Sequence, residues 1–333
     1  MTKRCTTFDK LLAEHAVLVA DGAMGTTLFS LGLEGGGCPE LLNTEQPDLV
    51  EKVHRAFIDA GTDIILTNTF GGNARRLALH NLQDRVAELN AAAVERARMA
   101  AAHSDRPVAI AGSIGPTGDL FEPLGPLSHA AGVEVFSEQA AALVGAGADV
   151  LWIETISSWE ELNAAVEAAS AFDIPVTATL SFDTNGRTMM GISATQVGEW
   201  WSTLDLQPAA IGANCGIGPG DAVSAALDIT AAAPGSVAIT KANCGMPLYD
   251  VDRLVYPVGP GRMGDYVELG VRSGARIIGA CCGSTPDHVA AIREAVDAGV
   301  HGDRPDHHEI EVRLDATPVS AGGGTLRRNR RRG

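Results

Sequence analysis

The sequence predicts an α/β fold, a single-domain (β/α)8 TIM barrel, on three observations. The chain has 333 residues, 45% of them hydrophobic, which is enough for a barrel of about 250 residues with loops to spare. Eight short apolar segments rich in β-branched residues recur along it, as expected for strands buried on both faces. Helical patterns separate these segments and indicate parallel crossover units. Eight strands close a barrel, whereas a doubly wound open sheet, the alternative fold, usually has fewer.

The predicted strands are apolar runs, most of which lead into Gly, Asn, Thr or Cys. They span residues 16–25, 63–72, 107–116, 150–158, 175–183, 209–216, 236–245 and 276–283. The helical patterns between them are rich in Ala, Leu, Glu and Arg, and several end in Gly, the usual helix stop. The clearest of them span residues 48–61, 85–102, 137–148, 158–172 and 286–299.

The last part of the chain differs from this repeat. From residue 303 onward the strand–helix alternation stops, and a Gly triplet precedes five arginines within the last seven residues. We expect residues 1–302 to form the barrel and residues 303–333 to form an extended, partly disordered basic tail.

The formal net charge of −16 limits the partners of the protein. An acidic surface repels a phosphate backbone and attracts cations, so we expect no nucleic acid and favour a cationic ligand. No stretch approaches the roughly 20 apolar residues of a membrane span, and the N-terminus lacks the apolar run of a signal peptide. We therefore expect a cytoplasmic protein without a membrane partner, whose six cysteines are thiols or metal ligands and not disulfides.

Unusual polar residues cluster where the predicted strands end. In (β/α)8 barrels the chemistry lies at the carboxyl ends of the strands, so these side chains predict a site at one mouth of the barrel. The residues are Asp21, Asn68, Ser113, Glu154, Asp183, Asn214, Cys215, Asn243, Cys244, Cys281 and Cys282.

Three of the cysteines predict a metal site. Cys215 ends the sixth strand, and Cys281 with Cys282 ends the eighth, so only one strand separates them. Three thiolates select a soft or borderline cation, foremost Zn²⁺, and three ligands leave the fourth position of a catalytic site open. We expect Cys5 and Cys38 not to bind the metal, and Cys244 at most to line the site.

This ligand set favours a particular chemistry. Three thiolates nearly cancel the charge of the metal, which makes it a poor activator of water. The same set suits a substrate thiol, which the metal would hold as a nucleophilic thiolate. The sequence therefore predicts alkyl transfer to a thiol.

Two carboxylates are best placed to hold a substrate ammonium group, Asp21 in ADGAMG and Glu154 in WIETISS. The alternative for each is a structural role as the cap of the next helix. Gly22, directly after Asp21, is expected to line the substrate pocket, because glycine lets the backbone approach a ligand closely.

The motifs DGAMGTTL, ILTNTFGGN, GSIGPTG, IETISS, GANCGIGP, KANCG and IIGACCGSTPDHV occur in this order along the chain. Together they resemble the homocysteine S-methyltransferases over roughly residues 10–299. The resemblance implies a (β/α)8 barrel, zinc on Cys215, Cys281 and Cys282, and a homo-oligomer. It also implies that Asp21 and Glu154 hold the amino group of homocysteine. Asn243 would lie beside the metal, and Asn214 completes the predicted substrate-binding residues.

The segments at residues 115–127 and 181–191 are most similar to stand-alone bacterial betaine–homocysteine methyltransferases. One departure concerns the methyl donor. Gly71 and Thr155 stand where the animal betaine enzymes carry tyrosines, and aromatic rings are what a quaternary ammonium prefers. Other aromatic residues could replace them, namely Trp152, Phe182, Trp200, Trp201, Tyr249 and Tyr266.

The resulting prediction is a zinc-dependent transfer of a methyl group from a small cationic donor to homocysteine, forming methionine. Betaine is the first candidate donor, followed by dimethylsulfoniopropionate and S-methylmethionine. Two alternatives remain open: a subunit that takes its methyl group from a separate corrinoid protein, and a metal- or thiol-binding barrel that acts as a sensor or scaffold.

Overall fold

The computed structural model describes residues 4–183, 185–250 and 253–316. Its eight barrel strands are β1 (Leu18–Val19), β2 (Ile64–Leu66), β3 (Ala109–Ile114), β4 (Val150–Ile156), β5 (Val176–Leu180), β6 (Ala210–Cys215), β7 (Ala238–Ala242) and β8 (Ala275–Ala280). All pair in parallel with their chain neighbours, and β8 pairs with β1. A bridge between Ala20 and Ile64 joins β1 to β2 and completes the ring. The predicted (β/α)8 barrel is confirmed, and only β8 begins outside its predicted segment, by one residue.

Helices surround the strands. They are α1 (Thr7–Glu14), α2 (Met24–Ser30), α3 (Leu42–Glu45), α4 (Pro47–Asp59), α5 (Ala74–Leu77), α6 (Val86–Ala101), α7 (His129–Gly145), α8 (Trp159–Ser170), α9 (Ala194–Thr203), α10 (Pro219–Ala232), α11 (Met263–Arg272), α12 (Pro286–Asp297) and α13 (His307–Leu314). A short antiparallel hairpin, Leu248–Asp250 with Arg253–Val255, lies between β7 and α11. Helix α7 begins eight residues before its predicted start because Ser128 caps it, accepting a hydrogen bond from the Ala131 N–H.

Small side chains and one large ring fill the interior of the barrel. Trp152 on β4 is fully buried beside Ala109, Ala111 and Ala210, whose short side chains leave it room. Helix α1 closes the amino-terminal end of the barrel by adding Phe8 and Leu11 to the same cluster, whose residues include the first residues of several strands. One end of the barrel is therefore sealed by apolar packing, and a site can form only at the other.

The sealed end is also held by a buried carboxylate. Asp63 accepts a hydrogen bond from the Val19 N–H at 2.8 Å, and it forms ion pairs with Arg106 at 3.2 Å and Arg293 at 3.0 Å. These contacts tie β1 and β2 to the outer helices, far from the carboxyl ends of the strands. In (β/α)8 barrels, polar contacts at the amino-terminal ends of the strands stabilise the fold and take no part in catalysis.

The expectation of an extended segment after residue 302 is wrong for the part that forms α13. Asp306 caps this helix through the Glu309 N–H at 2.8 Å, and Arg272 donates to both Glu309 carboxylate oxygens at 2.7 and 2.9 Å. Ile310 and Leu314 are buried, so the helix packs on the barrel. The arginine cluster at residues 327–332 lies outside the described residues, and the division of the chain at residue 302 stays a prediction. Among the described residues, no helix is both long enough and apolar enough to cross a membrane.

We expect Gly212→Ala to destabilise the barrel severely. A Cβ at this position on β6 would lie 2.0 Å from the Ile239 carbonyl oxygen on β7, and neither strand can move without disturbing its other neighbour. The loss should reach at least about 2 kcal/mol, measured as a fall in Tm by calorimetry. Gly145→Ala, at the end of α7 with nothing within 4 Å of the added atom, is the control and should keep or slightly raise Tm. Equal Tm values for the two variants would contradict the close strand packing.

Candidate functional site

A cavity of about 150 Å³ opens at the carboxyl ends of the strands. Seven of the predicted strand-end residues line it: Asp21, Asn68, Ser113, Glu154, Cys215, Cys281 and Cys282. The other lining residues are Gly22, Ala23, Met24, Leu66, Thr67, Phe70, Thr155 and Lys241. The topology therefore places most of the predicted chemistry in one small space.

Three thiols converge in this cavity. The sulfur atoms of Cys215 and Cys281 are 3.0 Å apart, and those of Cys215, Cys281 and Cys282 all lie within 4.8 Å of one another. The 3.0 Å separation exceeds the roughly 2.05 Å of a disulfide, and the 4.8 Å limit accommodates the roughly 3.8 Å between two sulfurs bound to one tetrahedral zinc ion. Among the residues that the structure describes, this is the one group of three that could hold a metal ion. The predicted convergence is confirmed.

The protonation of the thiols also fits a cation between them. The contacts with Cys215 and Cys281 hold the pKa of Cys282 below its ordinary value. The contacts with the other two thiols raise the pKa of Cys215, and burial raises it further. The three sulfurs cannot all ionise side by side without a positive charge. A bound metal ion would supply that charge and displace the protons, so the donor set fits a thiolate-bound metal.

The remaining cysteines lie outside the cluster. Cys244 is buried next to it and donates its N–H to the Cys282 carbonyl at 2.9 Å, and burial raises the pKa of its thiol to about 12. Cys38 is buried against Glu40, with its sulfur 3.3 Å from a carboxylate oxygen, and Cys5 is exposed. That none of these three cysteines is a metal ligand stays a prediction.

The backbone is strained where two of these strands end. Thr155 on β4 and Cys215 on β6 have φ angles of +64° and +55°, a left-handed conformation that costs non-glycine residues about 1–3 kcal/mol each. Asn214 offsets part of this strain. Its side-chain oxygen accepts the Thr155 N–H at 2.8 Å, and its amide donates to the Thr155 hydroxyl at 2.7 Å. The strained turns are thus held in place beside the thiols.

A second asparagine links the two strands that carry the cysteines. The Asn243 side chain donates to the Gly216 carbonyl at 2.8 Å and accepts the Cys282 N–H at 2.9 Å. Neither Asn214 nor Asn243 belongs to the residues that line the cavity. Both position the thiols, while direct substrate contact by either of them stays a prediction.

The two predicted carboxylates both lie in the cavity wall, almost completely buried. Asp21 accepts the Leu66 N–H at 2.8 Å, and Glu154 accepts the Ser113 hydroxyl at 2.5 Å. Burial raises the pKa of Asp21 and raises that of Glu154 to about 7. The positive charge of Lys241 limits the increase in pKa of both carboxyl groups.

The sequence analysis missed Lys241. Its Nζ lies 3.2 Å from Asp21 Oδ1 and donates to the Ala280 carbonyl at 2.8 Å. Burial alone would lower the pKa of this lysine, but the negative charges of Asp21, Cys281 and Glu154 together outweigh it and the net pKa is raised. The available signal was a lysine inside an otherwise apolar strand, SVAITKANCG, because a charge there must find a partner.

The surroundings of Gly22 leave no space for a side chain. A Cβ at this position would lie 2.5 Å from Phe57 Cε1 and 2.7 Å from Ser284 Oγ. The same hydroxyl accepts the Ala23 N–H at 2.9 Å. Only glycine lets the loop after β1 pass between α4 and the loop after β8.

The comparisons with known proteins agree with this site. A family model described as homocysteine S-methyltransferase matches residues 18–296. The chain belongs to the homocysteine S-methyltransferase family. It is 31% identical over 299 residues to the methionine synthase of Mycobacterium tuberculosis and 30% identical to that of Mycobacterium leprae. Each match covers 84% of this chain and 24% of the methionine synthase, so the chain spans about a quarter of the length of these relatives.

Solved structures show the same fold. The oxidised and metallated forms of the homocysteine methyltransferase MmuM from Escherichia coli superpose with TM-scores of 0.74 and 0.73. They share 23% and 24% sequence identity with this chain, and the matched region covers 86% of it and 99% of each MmuM chain.

Of the two positions without tyrosine, Gly71 has little room for a side chain in its present surroundings. A Cβ at Gly71 would lie 2.9 Å from Glu40 Oε1, which accepts the Gly71 N–H at 2.6 Å. Thr155 is held by Asn214 as described above. None of the predicted replacement aromatics lines the cavity, and the side chain of Tyr249 lies outside the described residues.

One aromatic residue lines the cavity, and a second lies next to the thiol cluster. Phe70 is in the cavity wall, and Tyr256 packs on Gly283, which follows Cys282; a Cβ added at Gly283 would lie 2.0 Å from the tyrosine Cγ. Burial, together with the charge of Cys282, raises the pKa of Tyr256 to about 12, so its hydroxyl stays protonated near neutral pH.

We expect Cys282→Ala to abolish zinc retention while the barrel stays folded, because Cys282 follows the last barrel strand and does not pack inside the barrel. Zinc per chain, measured by plasma mass spectrometry after dialysis, should fall from about one to near zero, since two thiolates bind zinc far more weakly than three. Cys244→Ala, which removes the buried thiol next to the cluster, is the matched control and should keep the metal. Loss of zinc in the Cys244 variant, or full retention in the Cys282 variant, would contradict the proposed ligand set.

Proposed function

We propose that this protein is a zinc-dependent S-methyltransferase that moves a methyl group from a small onium donor, betaine foremost, to homocysteine, forming methionine. The observation that carries the proposal is the convergence of three thiols in a buried cavity with two carboxylates in its wall. Family membership supports homocysteine as the acceptor. A cluster of free thiols requires a reducing compartment, which supports a cytoplasmic location.

Cys215, Cys281 and Cys282 would hold the metal ion, and three thiolate ligands leave one coordination position for an acceptor sulfur. Bound zinc would stabilise that sulfur as a thiolate and keep it nucleophilic. Asn214 donates to the Cys215 sulfur at 3.5 Å, and Asn243 accepts the Cys282 N–H at 2.9 Å, so the two amides hold two of the three cysteines in place.

The cavity suits a small acceptor that carries an ammonium group. A volume of about 150 Å³ corresponds to about five water molecules, which suits a small amino acid and excludes a peptide. The buried Glu154 carboxylate, oriented by the Ser113 hydroxyl, is placed to bind the ammonium group of homocysteine. Asp21 adds negative charge on the opposite side of the wall.

The methyl transfer is a direct displacement. The acceptor sulfur attacks the methyl carbon, a new S–C bond forms, and the bond between the methyl group and the nitrogen of betaine breaks. The bonding electrons leave with the nitrogen, so the donor departs as a neutral tertiary amine, while the thiol proton passes to solvent. No general acid is needed, and the role of the protein is to align the two partners.

Phe70 and Tyr256 supply the aromatic surface that a quaternary ammonium donor requires. Phe70, in the loop after β2, lines the cavity, and Tyr256 packs on Gly283, directly after Cys282. This placement supports an onium donor although Gly71 and Thr155 carry no ring.

The donor is tested with zinc-loaded protein, homocysteine, and betaine, dimethylsulfoniopropionate, S-methylmethionine or methylcobalamin in parallel. We expect methionine, quantified by mass spectrometry, from an onium donor and foremost from betaine. Methionine from methylcobalamin alone would indicate a separate corrinoid protein as the natural donor. A zinc-bound protein that forms no methionine from any of the four would indicate a metal- or thiol-binding role.

Substitution of Tyr256 tests the donor subsite. Tyr256→Ala should raise the KM for the onium donor roughly 2- to 30-fold, the range expected for loss of one cation–π contact, and leave the KM for homocysteine unchanged. Tyr256→Phe keeps the aromatic face and should behave like the wild type. An unchanged donor KM in Tyr256→Ala would show that the donor cation binds elsewhere.

A further inference from the structure

The chain segment that carries Tyr256, residues 256–258, lies against the loops that follow β7 and β8. A Cβ added at Gly283, directly after Cys282, would lie 2.0 Å from the Tyr256 Cγ. A Cβ added at Gly245, in the loop after β7, would lie 2.8 Å from the ring of the proline that follows Tyr256. Because glycine has no side chain, this Tyr256 segment packs directly on the backbone beside the thiol cluster.

The Tyr256 segment follows a hairpin that offers it little support. The hairpin strands Leu248–Asp250 and Arg253–Val255 pair with each other and, within the described part of the chain, with no further strand. Leu248 and Leu254 are 57% and 49% exposed. A two-stranded hairpin on its own is only marginally stable in water. The position of Tyr256 therefore depends on contacts at the other end of its segment.

Val258 supplies these contacts through its backbone. Its N–H donates to the Cys244 carbonyl at 3.0 Å, and the Cys244 N–H in turn donates to the Cys282 carbonyl at 2.9 Å. The Val258 carbonyl oxygen lies 2.9 Å from Nε2 of His288 on α12. The two hydrogen bonds of Val258 thus join the Tyr256 segment to the cysteine loops on one side and to α12 on the other.

His288 donates to Val258 because its other ring nitrogen is an acceptor. Nδ1 lies 3.2 Å from the backbone nitrogen of Thr285, whose N–H can only donate. Nδ1 therefore carries no proton, and the imidazole is neutral with its proton on Nε2. This Nε2–H donates to the Val258 carbonyl. The His288 side chain is buried, so water competes little for either contact.

We propose that His288 is a positioning residue for the methyl donor, because its hydrogen bond to Val258 keeps the ring of Tyr256 beside the thiol cluster. The same imidazole caps α12 through Thr285, so one side chain joins the start of this helix to the donor subsite. This inference rests on the proposed function and deepens it, since it assigns the orientation of the donor subsite to a residue outside the cavity wall.

Two substitutions separate the contact with Val258 from the helix cap. His288→Gln keeps both, because glutamine at this third helical position accepts the N–H of the N-cap residue and its amide can donate to the Val258 carbonyl. His288→Glu keeps the cap, but its carboxylate, ionised at pH 8, has no proton to donate to Val258. A difference between the two variants therefore reports on the Val258 contact and not on the stability of α12.

Hydrogen exchange of zinc-loaded protein, followed by mass spectrometry at pH 8, tests this contact without turnover. In His288→Glu, exchange in the peptide that contains Val258 should be about 2- to 13-fold faster than in the wild type, the range expected for loss of one hydrogen bond. In His288→Gln the rate should be unchanged. A wild-type rate in His288→Glu, or equally fast exchange in both variants, would overturn the role of His288.

Steady-state kinetics tests whether the contact serves donor binding. His288→Glu should raise the KM for the onium donor, by no more than Tyr256→Ala does, and leave the zinc content and the KM for homocysteine unchanged. Combining it with Tyr256→Ala should raise the donor KM no further, because His288 acts through that ring. His288→Gln should behave like the wild type. Additive effects in the double variant would overturn the proposal.

Failure of the proposed function has a different signature. Zinc-loaded wild-type protein that forms no methionine from any onium donor would overturn that function and the donor role of His288 with it. A raised donor KM in Tyr256→Ala together with wild-type kinetics in His288→Glu would overturn this inference alone.

Discussion

Negative charge buried in a small space is the constraint on which the site depends. Three thiols and two carboxylates face one cavity at the end of the barrel, and like charges in a low dielectric cannot all ionise without cations nearby. The protein contributes one cation itself, Lys241, and a metal ion and a substrate ammonium would contribute the others. Burial raises the pKa of Glu154 to about 7, and the negative charge of Cys281 adds to this rise while Lys241 opposes it.

The barrel makes this concentration of charge possible because its stabilising contacts and its site residues lie at opposite ends of the strands. Apolar packing by α1 and the ion pairs of Asp63 hold the amino-terminal ends of the strands. The carboxyl ends can then carry left-handed residues such as Thr155 and Cys215, whose strain the rest of the fold sustains. Thr155 directly follows Glu154, the proposed ammonium anchor, and Cys215 is itself one of the proposed metal ligands.

The sequence predicts those features that depend on pattern and topology. Apolar runs with short intervening helices define the eight strands, and because parallel strands end on one face, the convergence of Cys215 with Cys281 and Cys282 follows from their positions alone. Features that depend on tertiary partners do not follow in this way. Helix α13 lies in a polar segment, and its burial rests on the pairing of Arg272 with Glu309. The aromatic surface comes from Phe70 and Tyr256 because loops, whose paths the strand pattern does not define, carry them to the cavity.

In the proposed function, one side chain couples recognition of the acceptor to activation of its sulfur. The Asn214 amide lies 3.5 Å from a Glu154 carboxylate oxygen and 3.5 Å from the Cys215 sulfur, and its carbonyl oxygen fixes the Thr155 backbone between them. The distance between the ammonium anchor and the thiol cluster is therefore set by a rigid, buried contact and not by a mobile loop. An acceptor must match that distance with the separation of its own ammonium and thiol groups. In this arrangement, discrimination between thiols by chain length follows from the same hydrogen bonds that offset the backbone strain.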